Sequence, residues 1–577
     1  MKQFKTVSEG VWVVTEDMQL EELNIAEGAS VTAPEGKKVT MTVNGVATKL
    51  QPASFQGDIR LTVTDDIPVR FFAYKEPMQY RAAAYIKDGK VQDHQSVAAA
   101  IKSGDVTGAW AKNVKIVARD DAFNGIFVDG EGEYVIDGAD IDLEGLGGND
   151  FNGYGAAIMS HGTAKVTVNH ANIHVRGASR NSFFVGEHSE MTINDSVLYN
   201  ETGILPAGYV DNVDMGGMMR VPWMLGLRGN SRATNLADFG TAHYNRCHLM
   251  ADGWGVLSTD AVDRCRLFVT DCLIEVVGPS GYGAFSIGDC NDVFDHCVFN
   301  VPDYALIMAN ETAGGEFING TVVNSKRFGV MSFLNMGGKL IVHDSTFNTE
   351  KAVFLIKGCT PEIDVKNAKL NSKSKTILQL FDIDDPTGAN RWFFDPKEED
   401  VYIEGRDLTV AVPGNDVIAR FADMEVNGDF FNATTNIPLD TSEMPAFEMP
   451  PMPEPEDGAE PFTPPEPGPL PKNLELTFTN ATVTGRITAA KARHRVARVD
   501  KTNCEELGEL DFTARESINN GVIVNLEAGA VWNVTDISYL TKLVIADGAV
   551  VNAKSMTVDG VATPIVPGTY TGKIVVE

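Results

Sequence analysis

The chain has 577 residues and a formal net charge of −31. That length accommodates several ordinary domains or one elongated repeat array. An acidic balance this strong excludes a general nucleic-acid binder, which needs clustered Lys and Arg, and the lack of any run of ~18 apolar residues excludes a membrane-spanning helix.

The first residues, MKQFKTVSEGVWVV, lack the apolar core of a secretory signal. Two expectations stay open: a cytoplasmic protein, or a secreted or cell-surface protein whose signal has been removed. The second is favoured because long acidic β-solenoids are commonly exported. From Val11 the segment VWVVTEDMQLEELNIAEGASV aligns without gaps on VWNVTDISYLTKLVIADGAVV from Val531, matching Trp12 with Trp532, Leu23 with Leu543 and Gly28 with Gly548. MTVNGVAT at Met41 likewise matches MTVDGVAT at Met556. Residues 1–92 and 474–577 therefore carry duplicated β-units, expected to cap a solenoid or to pack beside it. Between the first unit and the repeats, Asp93 to Gly104 (DHQSVAAAIKSG) carries helix start and stop signals around an Ala-rich centre, which predicts a short capping helix.

Repeats begin near Val114, where IDGADIDLEG from Ile136 resembles VNHANIHVRG from Val168, and residues 93–430 form the expected solenoid domain. A column of small residues, Ala171, Ser196, Cys247, Cys272, Cys297, Thr321, Ser345 and Ala368, recurs every 23 to 25 residues apart from one double-length gap. Two places after each comes an apolar residue, from Ile173 to Leu370. Asn300, Asn324, Asn348 and Asn371 follow one place later and are expected at turns, as a ladder of amides. A period of this size with strand-like alternation means stacked coils. Cys247, Cys272 and Cys297 share the column, and Cys265 and Cys290 are also 25 apart. Stacked strands lie ~4.8 Å apart, so neighbours could pair, but buried thiols serving as small core residues are the simpler expectation. From Pro445 to Pro471 there are eleven prolines and no basic residue, so residues 431–473 read as an extended, solvated excursion.

The period, the asparagine ladder and the Cys and aliphatic columns resemble the right-handed parallel β-helix class, the pectin-lyase-like superfamily, over roughly residues 110 to 430. The resemblance implies an all-β fold and says little about activity. The Arg-x-Pro-x-x-Arg pattern of pectate lyases is half met by Arg220-Val221-Pro222, with the next arginine displaced to Arg228. The polygalacturonase blocks are not found in order.

Regular coils are scaffold, so function is expected where the period breaks. Between Ser196 and Cys247 the repeat is stretched by a whole coil, predicting projecting loops at roughly 200–222 and 230–242. Met215 to Met250 holds Arg220, Arg228, Arg232 and Arg246 with Asp238 as its only acid. Guanidinium groups there suit a carboxylate, sulfate or phosphate ligand, with internal ion pairing as the alternative. Strands Trp254–Ser258, Tyr282–Ser286 and Phe328–Ser332 share a pattern, and Asp260 and Asp289 follow the first two. Carboxylates on adjacent rungs would perturb each other and act as acid with base or nucleophile. Arg228, expected at the end of a strand Trp223–Leu227, would stabilise developing charge, and His243 would shuttle protons. Arg220, Arg232, Trp223, Trp254, Tyr282 and Glu187 are expected to bind substrate, with Glu187 and His161 extending the site along the strand ends.

No cofactor is expected. Asp137, Asp140, Asp142, Glu144 and Asp150, or Asp382, Asp384 and Asp385, could attract calcium, but no fixed-spacing motif is present. The leading expectation is an enzyme acting on a carbohydrate or other ring-bearing substrate with an acidic group, by hydrolase, lyase or isomerase chemistry. The alternative is a non-catalytic, adhesin-like surface protein. Homo-oligomers through the exposed flanks fit either reading.

Overall fold

The computed structural model describes residues 3–71, 73–260, 264–310, 312–387, 405–435 and 472–577, with 394–395, 440, 442 and 468–469 between them. The protein is all-β with long parallel strand stacks. It divides into two compact units: Met1–Val221 with Gly229–Arg266, and Pro222–Arg228 with the described residues from Leu267 onward.

In the first unit, alternation along each strand places apolar side chains inward, and in-register parallel pairing stacks like upon like. Tyr134, Val166, Met191 and Ala242 form one inward column, and Ile141, Ile173, Leu198 and Leu249 another. All eight are buried, and each larger aliphatic side chain removed from water contributes about 1.5–3 kcal/mol. The small-residue column has a backbone cause. His170, Asp195 and Arg246, immediately before Ala171, Ser196 and Cys247, are left-handed, with φ of 52°, 49° and 54°. Such a residue turns the chain sharply between two strands, so the next side chain falls in a cramped corner. Ser196 illustrates the fit: its Oγ accepts from Ala171 N at 3.0 Å and donates to Asn194 O at 2.7 Å.

A second sheet of this unit contains parallel strands Ala82–Lys87, Asn124–Asp129, Ile158–Ser160, Phe183–Val185 and Thr234–Leu236. The hairpin Ile67–Val69/Met78–Tyr80 covers its outer face, packing on Tyr85, Phe127, Met159 and Phe184. Arg180, fully buried, fixes the nearby glycine-containing loops by donating to the carbonyls of Gly155 (2.8 Å), Asp120 and Gly145 (both 3.2 Å). Burial pushes its pKa down to about 10.

Two expectations change here. The segment 93–104 is not an α-helix: Asp93–Gln95 and Ala98–Ala100 are single 3-10 turns, and Ile101–Val106 is a strand antiparallel to Trp110–Arg119. Ser96 Oγ accepts from Tyr85 N at 3.0 Å and Val97 N donates to Ala82 O at 2.9 Å, so the sheet edge recruits the residues that would begin a helix. Nor is 230–242 a projecting loop. It contains the strand Thr234–Leu236 and begins Thr241–Asn245, because its apolar residues continue the inward columns.

The second unit repeats the design. Asp271, His296, Asp344 and Asn367 are left-handed before Cys272, Cys297, Ser345 and Ala368. All seven cysteines of the chain are buried thiols. The ladder Asn300, Asn324, Asn348, Asn371 lies within strands and not at turns, which the preceding left-handed residues make. Phe294, Phe299, Phe317 and Phe347 interlock inside, with ring centroids 4.9–5.6 Å apart. The expected strand Trp223–Leu227 is a 3-10 turn, Trp223–Leu225, ended by left-handed Gly226 at φ 74°. Segment 504–509 lies over this unit's other sheet, held by Arg327 to Leu507 O (2.8 Å) and by Gln379 to Gly508 O (2.8 Å).

The duplicated ends fold alike, each within its own unit. Val11 pairs with Ser30 as Val531 pairs with Val550. Met18–Ile25 and Ser538–Ile545 each pair with an antiparallel strand through a register shift at the same place, Leu20/Glu22 and Leu540/Lys542. The surroundings differ: Trp532 is buried and donates to Gly485 O at 3.0 Å, whereas Trp12 is half-buried beneath Lys5. The proline-rich stretch lies outside the described residues apart from Gly468–Pro469.

Candidate functional site

Arg232 and Asp260 meet, and both are buried. Arg232 binds Asp150 through two bonds of 2.9 Å and also Asp260, while its guanidinium lies near the rings of Phe151 (4.2 Å) and Trp254 (4.8 Å). Arg232 and Asp150 are sealed, at 1% and 0% side-chain exposure. Asn235 tightens the knot, donating to Asp150 O at 3.1 Å and accepting from Asp260 N at 3.2 Å. Burial raises the pKa of Asp260 against the attraction of Arg232, and the Asp150 charge adds to the rise. One guanidinium serves two buried carboxylates, and the excess negative charge is felt at Asp260 as the raised pKa. Arg232, Asp260 and Trp254 are thus buried together in one cluster.

The other expected residues scatter. Arg228 bonds Lys501 O (3.2 Å), Thr502 O (2.7 Å) and Glu505 (2.8 Å), clamping a neighbouring segment. Asp289 is exposed in a bend two residues beyond its strand Tyr282–Ile287, whereas Asp260 ends its own strand and is buried; the two positions are not equivalent. His243 lies on the strand Thr241–Asn245, 3.7 Å from Glu190. Arg220 pairs with Asp211 at 2.9 Å in an exposed loop. Trp223 and Tyr282 are buried. Among the described residues no cluster of three His, Cys, Asp or Glu side chains is arranged to hold a metal. Asp137, Asp140, Asp142 and Glu144 pair with His170, Lys115 and Arg119, and Asp384 with Lys357 and His494.

A second constellation stands at the strand ends of the first unit's smaller sheet. Lys87 and Asp129 end neighbouring strands in register, His161 follows the next strand, and Glu187 lies two residues past the one after. Asp129 accepts from Tyr85 Oη at 2.7 Å and lies 3.1 Å from Lys87 Nζ and 3.4 Å from His161 Nδ1. His161 Nε2 is 3.4 Å from Glu187 Oε1. Burial works against the Asp129 charge more than any other single influence. Hydrogen bonds from His161, Tyr85 and Lys87 together outweigh it and hold the carboxyl well below the usual range. Burial, then the bond to Asp129, raises the Tyr85 phenol far above its ordinary value.

An imidazole between a partly buried anion and a more open one can take a proton and return it, with the inner carboxylate fixing ring and tautomer. The sequence reading reached His161 and Glu187 but missed Asp129, Tyr85 and Lys87. Strand pairing is what brings them together: Val128 lies opposite Ser160, which places Asp129 beside His161.

Comparisons with protein-family models, curated proteins and solved structures found no match. The class defined by the coordinates is a parallel-stranded, solenoid-like all-β protein.

Proposed function

We propose that this protein is an enzyme of the right-handed parallel β-helix, pectin-lyase-like class, secreted or displayed at the cell surface. Its substrate is a carbohydrate or other ring-bearing molecule with an acidic group. One observation carries the reading: His161 stands between Asp129 and Glu187 at a row of strand ends, with Lys87 beside Asp129. His161 takes a proton from the substrate, Asp129 stabilises the imidazolium that results, and Glu187 acts as the second acid–base group. Lys87, half exposed, receives the substrate's acidic group.

The test is turnover of a panel of uronate oligosaccharides, followed by reducing ends and by unsaturated products. Product from the intact protein and a loss of ~100-fold in His161→Gln are expected. No product from any member of the panel, or equal turnover by a folded His161→Gln, overturns the assignment. The congruent terminal units favour a second reading, attachment or assembly without catalysis, for which the absence of turnover is the expected result.

A further inference from the structure

In the second unit, Asn300, Asn324, Asn348 and Asn371 occupy equivalent places on four parallel strands. Each donates one N–H to the Oδ1 of the asparagine before it, at 3.0, 2.9 and 2.9 Å, and Asn300 donates to Glu275 at 2.8 Å. A primary amide has two N–H groups and two acceptor positions. The ladder therefore uses one N–H of each amide and one acceptor position of all but Asn371, and leaves on each of these rungs at least a donor and an acceptor for something outside. Asn324 and Asn371 are exposed and the other two half-buried.

The ladder lines a groove of about 680 Å³, whose other polar residues include Lys326, Lys373, Lys375 and Glu350. Lys373 pairs with Glu350 at 2.6 Å. Lys326 and Lys375 are exposed and make no ion pair among the described residues. Three lysines facing one glutamate form a cationic strip on a chain of net charge −31.

We propose that this groove is a docking track for an extended anionic saccharide. Amides repeating every ~4.8 Å along the stack offer one donor and one acceptor per rung. That spacing is comparable to the rise per sugar in an extended pyranose chain, whose hydroxyls both donate and accept. The lysines meet the carboxylates. The track shares the substrate class of the acid–base reading but none of its residues.

A fluorescently labelled galacturonate hexamer, titrated into the full chain and followed by anisotropy, tests it. Binding that weakens with salt is expected. Asn324→Ala with Asn371→Ala should weaken it about tenfold or more, and Lys326→Glu with Lys375→Glu, at exposed positions outside the core, should abolish it. Hexamer binding without turnover by the intact chain would sink the catalytic reading and leave the track standing. No binding, binding unchanged by Lys326→Glu with Lys375→Glu, or equal affinity for neutral cellohexaose would overturn the track.

Discussion

The Arg232 knot and the His161 relay are built from the same parts, one basic side chain and two carboxylates, yet they differ in access. Arg232, Asp150 and Asp260 are 1%, 0% and 8% exposed, and two aromatic rings approach the guanidinium. Along the relay, exposure rises from Asp129 at 15% through His161 at 19% to Glu187 at 49%. A cluster with this little exposure meets mainly its own neighbours. A graded one has an anchored inner end and an open outer end within reach of solvent. Burial of the partners, not the identity of the residues, separates support from a candidate active site.

The contrast is broken most forcefully at Arg232. Arg232→Met strands two buried carboxylates, so urea denaturation should show a loss of about 3–5 kcal/mol. A loss below about 1 kcal/mol would mean that the knot is not structural. His161→Gln should do the reverse: turnover falls ~100-fold while stability changes by no more than about 1 kcal/mol. If that variant unfolds instead, the relay belongs with the knot.

Acid titration sharpens the comparison further. The folded pKa of Asp129 lies below its unfolded value of about 3.9. Its contribution is therefore fully present above that pH and is lost as pH falls through the folded pKa. Thermal midpoints of the intact chain should decline across that acid range, and Asp129→Asn should flatten this part of the curve. Parallel curves would remove Asp129 as a stabilised anion. The smallest effect is expected at Asp260→Asn, which replaces an already raised carboxyl with a neutral isostere. Its cost should stay below about 1 kcal/mol, and a loss matching that of Arg232→Met would show that the second negative charge is required.

Much of the scaffold was readable from the chain. The small-residue column marks the tight corners, the aliphatic columns mark the inward faces, and the terminal duplication holds down to the shared register shift. The ladder residues were found but misplaced: a side-chain period reveals that asparagines stack, not whether they sit in a strand or at a turn. The candidate site was less legible. Arginine enrichment near the double-length gap pointed to a ligand, but Arg232 and Arg228 are committed to internal partners. Asp129 and Tyr85 carried no signal until strand pairing set them beside His161.

Sequence by itself determined the parallel stacking, because a fixed period with alternating polarity has one economical way to bury its apolar face. Tertiary structure alone decided which charged groups are sealed and which stay open. Exposure depends on covering segments far away in the chain, and repetition along the chain is silent about what lies on top.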